Sequence, residues 1–302
     1  MAPASLWSLQ LAALLVSVHL GLAQVDLFPL PTEQPFPDDL PDMGNIPKRA
    51  EAEGPRDCAE ILDENPDAIS GVYTIFPPTC RMCYFHVFCD METDGGGWTI
   101  IARRFNGSAD FYRGCYYYKM GFGNVHGEHY IGNEKVHYLT NLKQNELQIC
   151  ITDVGMVQSV AGYSHFFIEN MTANYVLHVD SYAGDAGDHL IHSNGSEFSA
   201  FDCDHDGAPQ NCAKYFHGAW WYHTYGQNCG SQSNLFGFYF LGKKELPHFA
   251  GPGLSWQPVP GPGAPAIKEF VMKIRPMGYI GGSNIPPNIP RVARVPLFRP
   301  FG

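Results

Sequence analysis

The residues with the clearest chemical potential lie in an acidic loop, Asp202–Gly207, which reads Asp-Cys-Asp-His-Asp-Gly. Alternating carboxylates followed by glycine place several hard oxygen atoms on one side of a tight turn, which suits Ca²⁺. The loop is not an EF-hand, because the twelfth position counted from Asp202 is Ala213 and not Glu. From these residues alone, a calcium site and a solvated acidic turn are both open.

No motif of a common enzyme class is present: the sequence has no HExxH, no GxSxG and no phosphate-binding glycine loop. His126 and His129 do not have the HExxH spacing. Cys80-x-x-Cys83 has no second pair of ligands at zinc-finger spacing, so zinc is not expected. We therefore predict a binding protein and not an enzyme.

Cysteine usage and sequons indicate an extracellular protein. In a secreted chain, disulfides are the default, and an odd count leaves one sulfur for an intermolecular bond or a free thiol, so a disulfide-linked homodimer and a monomer are both open. The nine cysteines are Cys58, Cys80, Cys83, Cys89, Cys115, Cys150, Cys203, Cys212 and Cys229. Three Asn-x-Ser/Thr sequons predict glycosylation at Asn106, Asn170 and Asn194.

Composition divides the 302 residues into four parts. Residues 1–23 contain a nearly uncharged apolar run that ends in Gly-x-Ala, which predicts a removable signal peptide and a secreted protein without a membrane span. Residues 24–56 form an acidic, proline-rich linker, and residues 277–302 form a disordered tail rich in proline and arginine. The net charge of −11 argues against nucleic-acid binding.

Residues 57–276 carry the folded domain, and their patterns predict an α+β fold. The strongest helix signals are Cys58–Glu64 and Asn133–Leu142, and strand-like runs without regular βα alternation make up much of the rest. The predicted strands are Val72–Phe76, Tyr84–Cys89, Trp98–Arg103, Leu147–Thr152 and Tyr175–Asp180. Aromatic-rich loops over 203–256 need something other than regular structure to hold them.

The order of several motifs resembles the fibrinogen C-terminal (fibrinogen-related) domain family, of the ficolin, fibrinogen-like and angiopoietin-like type. The hallmark segment is Phe-Cys-Asp-Met-Glu-Thr-Asp-Gly-Gly-Gly-Trp-Thr at 88–99, and the motifs occur in the family's order over about 220 residues. The further matches are Asp110–Arg113, Gly121–Gly123, Gly127–Glu128, Ile131–Asn133, Asp185–Asp188, Asn211–Ala213, Gly218–Tyr222 and Met272–Pro276.

The resemblance implies a set of functional residues. It implies disulfides Cys58–Cys89 and Cys212–Cys229, the second beside a ligand pocket. It implies a calcium site with side-chain ligands Asp204 and Asp206 and backbone carbonyls from Ala208 and Gln210. The ligand-binding residues implied at the pocket are Asn211, Cys212, Tyr215, Phe216, Trp220, Trp221 and Phe249.

Two functions follow from the resemblance. In the first, a calcium-stabilised secreted module acts as a ligand for an extracellular receptor or matrix protein; in the second, a lectin-like pocket binds acetylated glycans. In ficolin-like members a histidine follows the second loop cysteine, whereas here Gly230 follows Cys229. This departure favours docking on a protein, and the aromatic run Gly218–Tyr222 keeps the glycan hypothesis open.

Overall fold

The computed structural model describes residues 54–77, 84–225, 228–230, 233–241, 253–256 and 267–281. Four α-helices are present in these ranges: α1 (Cys58–Glu64), α2 (Cys115–Met120), α3 (Asn133–Leu142) and α4 (Cys212–Phe216). The strands of the first half are β1 (Gly71–Ile75), β2 (Phe85–Asp90), β3 (Trp98–Arg104), β4 (Phe122–Gly123), β5 (His129–Tyr130) and β6 (Asn145–Asp153). The remaining strands are β7 (Gln158–Ile168), β8 (Leu177–Gly184), β9 (Thr224–Tyr225), β10 (Asn228–Cys229), β11 (Ser233–Asn234), β12 (Ser255–Trp256) and β13 (Ile267–Pro276).

A nine-stranded sheet forms the scaffold, in the order β1-β2-β3-β13-β6-β7-β8, with β5 pairing to β3 and β4 to β5. Every pairing in it is antiparallel. The last strand in the described ranges, β13, is therefore central: its Val271 lies opposite Arg103 on β3 and Cys150 on β6. None of the helices in the described ranges is long and apolar enough to cross a membrane.

The helices lie where local sequence favours them. Asp57 caps α1 by accepting a hydrogen bond from the N–H of Glu60, and the Cys58–Cys89 disulfide joins this helix to β2. In α3 the buried Val136 and Leu139 are three residues apart on one face, as an amphipathic helix requires. The observed bounds of α1 and α3 agree with the predicted ones.

A buried charge network joins β13 to the hallmark turn at 90–98. Lys273 Nζ lies 2.7 Å from a carboxylate oxygen of Asp90, and both side chains are almost fully buried. Burial alone would raise the pKa of Asp90, but the charge and hydrogen bond of Lys273 and the N–H of Thr93 lower it. Arg275 stacks on Trp98, with the guanidinium carbon 4.0 Å from the ring centroid. The network fixes the middle of the sheet against the turn.

The loops after β8 pack through aromatic rings more than through regular hydrogen bonding. The Phe236 ring lies 4.8 Å from Trp220, 4.9 Å from Tyr130 and 5.6 Å from Phe111, centroid to centroid, and all four side chains are buried. Such edge-to-face and tilted pairs add specific geometry to the burial of large apolar surfaces. This aromatic core supports the loops from the inside.

The strand predictions are accurate in the first half and weaker later. The fifth predicted strand is wrong at its start, since Tyr175 has a positive φ of 54° and the strand begins at Leu177. The long strands β7 and β13 were not predicted. In β13, charged side chains interrupt the apolar pattern, and their burial depends on partners that are distant in sequence.

Candidate functional site

The acidic loop is held at both ends by disulfides. Cys115–Cys203 joins it to the start of α2, with the Cα atoms 6.2 Å apart, and Cys212–Cys229 closes the chain behind it, with the Cα atoms 5.4 Å apart. Asp202 strengthens the first junction, since its Oδ1 accepts a 2.8 Å hydrogen bond from the N–H of Cys115. The Asp202 carboxylate thus bonds to the start of α2. Asp204 and Asp206 are the remaining carboxylates of the loop, and they are the two predicted side-chain ligands of calcium.

Asp206 is the central carboxylate of the loop. Its Oδ1 accepts from the N–H of Ala208 at 2.9 Å and its Oδ2 from the N–H of Cys212 at 2.8 Å, so the loop is folded around this side chain. Burial raises the pKa of Asp206, the two N–H groups act against that rise, and the negative charge of the adjacent, exposed Asp204 adds to it. Two carboxylates therefore lie together in this loop.

Asn211 connects this loop to α4. Its Oδ1 accepts from the N–H of Lys214 at 2.8 Å and caps the helix, while Cys212 begins the helix with its side chain buried in the disulfide. A shift in the acidic loop would thus move the cap and the helix. Tyr215, the next predicted ligand-binding residue, is half-buried and makes an edge contact with Phe216 at 4.9 Å.

Three predicted ligand-binding side chains belong to the core and not to a surface pocket. Phe216 and Trp221 are 1% exposed and Trp220 is fully buried. Phe216 stacks on Tyr222, the indole N–H of Trp220 donates to Ser233 Oγ, and that of Trp221 donates to the carbonyl of Tyr175. The prediction that these side chains contact a ligand is therefore corrected: they support the pocket region from inside.

The four predicted disulfide cysteines pair as the resemblance implies, Cys58 with Cys89 and Cys212 with Cys229. A third disulfide, Cys115–Cys203, was not predicted, and Cys150 is a free thiol. Phe249 lies outside the described residues, and so do Cys80 and Cys83.

A family model described as fibrinogen beta and gamma chains, C-terminal globular domain, matches residues 54–277, well over half of the chain. The chain belongs to the fibrinogen C-terminal domain family. This match confirms the resemblance that was drawn from the motifs.

Individual relatives agree with this assignment. The fibrinogen-related domain is 38% identical over 229 residues to fibrinogen C domain-containing protein 1-A of Xenopus laevis, covering 74% of this chain and 47% of that protein. It is also 38% identical over 229 residues to techylectin-5A of Tachypleus tridentatus, covering 74% of this chain and 75% of that protein. The fibrinogen-like globe domain of human ANGPTL2 superposes with a TM-score of 0.67 at 36% identity, covering 74% of this chain and 100% of that one. The chain spans about half the length of the Xenopus relatives that it matches, and the α+β fold is confirmed.

The sequons of this fibrinogen-related domain lie on its surface. Asn106, Asn170 and Asn194 are all exposed. In each, Oδ1 accepts a backbone hydrogen bond, from Ser108, Thr172 and Val179 respectively. The side-chain nitrogen is the atom to which a glycan would be attached, and glycosylation at the three sites stays a prediction.

A second cleft of the domain lies beside the end of β3, and none of the predicted ligand-binding residues that the structure describes lines it. It encloses about 270 Å³ and has Arg104, Tyr112, His217 and Tyr239 among its lining residues. In the sequence, the feature that could have pointed to this cleft is the pair Arg103-Arg104 shortly before Asn106-Gly107. Neither composition nor spacing indicates that Arg104 is buried, so the sequence did not predict the cleft.

Proposed function

We propose that this chain is a secreted, calcium-stabilised fibrinogen-related module that acts as a ligand for an extracellular receptor or matrix protein. The observation that carries the calcium part is the fixed position of Asp206. Its carboxylate is held by the N–H groups of Ala208 and Cys212, and the carboxylate of Asp204 lies beside it. Two adjacent carboxylates repel each other unless a cation lies between them.

The donor chemistry of the loop fits calcium. Asp204 and Asp206 would supply carboxylate oxygens, and Ala208 and Gln210 would supply backbone carbonyls, which is the hard-oxygen set that Ca²⁺ prefers. When bound, the ion would neutralise the two carboxylates. The protein's own part is to keep Asp206 fixed and to pass the position of the loop on to Asn211 and α4.

Secretion is supported by three disulfides among the described residues and by the exposure of all three sequons. The apolar run within residues 1–23 fits a removable leader. Members of the family are in general binding modules, and we propose no enzymatic activity for this one.

Docking on a protein is supported by the surface next to the calcium loop. Tyr116, Tyr117 and Met120 on α2 are exposed by 69%, 49% and 47%, and Cys115–Cys203 joins this helix directly to the loop. Exposed aromatic and methionine side chains are enriched at protein interfaces. The burial of Phe216, Trp220 and Trp221 removes aromatic side chains from a small-ligand pocket.

Thermal melting tests the calcium part. Removing calcium with EDTA should lower the melting temperature of the wild type, because an ion that binds only the native state stabilises it by about 2.7 kcal/mol at a hundredfold excess over Kd. Asp204→Ala should melt low and respond little to EDTA. Asp67→Ala removes an exposed aspartate elsewhere and should keep the full EDTA response. Identical melting of the wild type in EDTA and in calcium would remove calcium from the proposal.

Binding to cultured cells tests the partner. If the partner is a protein, mild protease treatment of the cells should abolish binding of the secreted chain, whereas removal of cell-surface glycans should leave it. The reverse pattern would overturn the protein partner.

Similarity to techylectin-5A, a protein whose name marks it as a lectin, keeps acetylated glycans as a second candidate. Calcium-dependent binding of the purified chain to an acetylated-glycan array, lost with chelator, would favour it.

A further inference from the structure

The cleft beside β3 contains an arginine whose charge no described carboxylate pairs. Arg104 is only 4% exposed, and its Nη1 donates to the carbonyl of Gly237. Its guanidinium lies between two rings, 4.4 Å from the centroid of Phe111 and 5.2 Å from that of Tyr239. Nε has no hydrogen-bond partner among the described residues.

The carboxylate of Glu128, the acid whose charge acts most strongly on Arg104, is already bonded to the backbone. Glu128 Oε1 accepts from the N–H groups of Phe105, Asn106 and Gly107, and its Oε2 accepts from that of Ala109. Burial lowers the pKa of Arg104 to about 10, and the charge of Glu128 acts against this drop, so the guanidinium is still charged at neutral pH. The cleft therefore presents a desolvated cation with donor capacity to spare.

The walls of the cleft are aromatic and held in place. Tyr112 and His217 stack with centroids 4.7 Å apart and planes 16° apart. The hydroxyl of Tyr239 donates to the carbonyls of Phe105 and Lys268 at 3.0 and 2.9 Å, which fixes that ring. A site whose rings are already ordered loses little side-chain entropy when a ligand binds.

The rim of the cleft limits which anion fits. Ser108 and Asp110 are exposed lining residues. The carboxylate of Asp110 repels the greater charge of a phosphate or a run of acidic groups more strongly than it repels a single carboxylate. Its Oδ1 accepts from the N–H of Tyr112, and the carboxylate can also accept hydrogen bonds from ligand hydroxyls. At about 270 Å³, the cleft is at the small end of ligand sites.

We propose that this cleft binds a single carboxylated sugar unit, with the carboxylate on Arg104, the apolar face of the ring against the aromatic walls, and hydroxyls on Asp110 and Ser108. The calcium ligands proposed above do not line the cleft. Binding here therefore needs no direct contact with the ion, and glucuronic acid should still bind saturably in the presence of chelator, even if movement of α4, whose C-cap is His217, changes the affinity.

Titrations of the secreted full chain, followed by NMR, test this. Glucuronic acid should bind saturably. Glucuronamide, its uncharged isostere, and glucose should bind about tenfold or more weakly, because they lack the charge-assisted hydrogen bonds to Arg104. Equal binding of glucuronamide, or no saturable binding of glucuronic acid, overturns the proposal. Succinate binding as tightly as glucuronic acid would also overturn it, because the cleft would then recognise a carboxylate without a sugar.

Two variants locate the site. Arg104→Lys keeps the positive charge but loses the planar guanidinium, which can donate two parallel hydrogen bonds to a carboxylate. It should weaken the binding of glucuronic acid about tenfold. Because Arg104 is buried and its substitution risks misfolding, a second variant, Ser108→Trp, fills the cleft from its exposed rim and should abolish binding in a folded protein. Ser108 also belongs to the Asn106 sequon, so Asn106→Gln, which removes the same glycan at a residue that does not line the cleft, is a further control and should bind like the wild type. Ser164→Trp, at an exposed position on β7, is the matched control and should bind like the wild type. Unchanged binding by Ser108→Trp refutes the location.

Discussion

The sheet and the loops between β8 and β13 obtain their order in different ways. In the sheet, neighbouring strands hydrogen-bond along long antiparallel ladders, with β13 in the centre. In the described part of the loop region, residues 185–256, the ladders are two residues long and α4 has five residues. There, disulfides and buried aromatic rings take the place of ladders. The proposed binding features lie in or beside the loops, which a rigid scaffold positions.

The largest effect is expected from breaking the centre of the sheet. Lys273→Met leaves Asp90 as an unpaired charge in the core, and loss of one partner of a buried pair costs about 3–5 kcal/mol. Urea unfolding measures this cost. Lys268→Met, at the more exposed end of the same strand, is the control and should change stability little, since its contact with Glu269 is at the surface. Similar losses in both variants would contradict the central role of the network.

Removing the Cys212–Cys229 disulfide should affect the loops more than the sheet. The bond closes a sequence separation of 17 residues, and its loss in the double variant Cys212→Ser/Cys229→Ser should cost about 3 kcal/mol. Hydrogen exchange should show lost protection over α4 and β9–β10 with the sheet still protected. Cys58→Ser/Cys89→Ser is the matched comparison, and uniform loss in both would show that the regions are not independent.

Acid should destabilise the sheet through His129. Burial lowers the pKa of this side chain to about 4, and the charge of Arg103 adds to the effect. The unfolded chain, with a pKa near 6.5, binds more protons, so stability is full above about pH 6.5 and falls as the pH drops toward 4. The loss at pH 5 relative to pH 8 is about 2 kcal/mol.

His129→Phe should flatten the pH dependence of melting between pH 8 and 5. His126→Phe changes an exposed histidine and should keep the wild-type profile. A wild-type profile in His129→Phe would contradict the assignment.

The smallest effect is expected at Cys150. Burial raises the pKa of its thiol to about 11, so little thiolate is present at neutral pH. Alkylation of the native protein should be slow and should accelerate on unfolding, and Cys150→Ser should leave stability nearly unchanged. A disulfide-linked dimer on a non-reducing gel that Cys150→Ser abolishes would contradict this.

Local features of the sequence predicted α1 and α3 well, since caps and periodicity lie within a few residues. The Cys58–Cys89 and Cys212–Cys229 pairs followed from the family resemblance, whereas Cys115–Cys203 joins positions 88 residues apart and has no local signal. Aromatic residues are equally suited to a pocket and to a core. Only packing decides between them, which is why the roles of Phe216, Trp220 and Trp221 were misjudged.

The central position of β13 has a consequence for how the protein is made. Residues 267–276 leave the ribosome after every other strand of the sheet. Until then, the edges of β3 and β6 that pair with β13 have no hydrogen-bonding partner. Unpaired edges attract strands of other chains. A chain terminated before residue 267 would therefore not yield a smaller folded domain. We expect it to aggregate or to be degraded, even though it still contains eight of the nine strands.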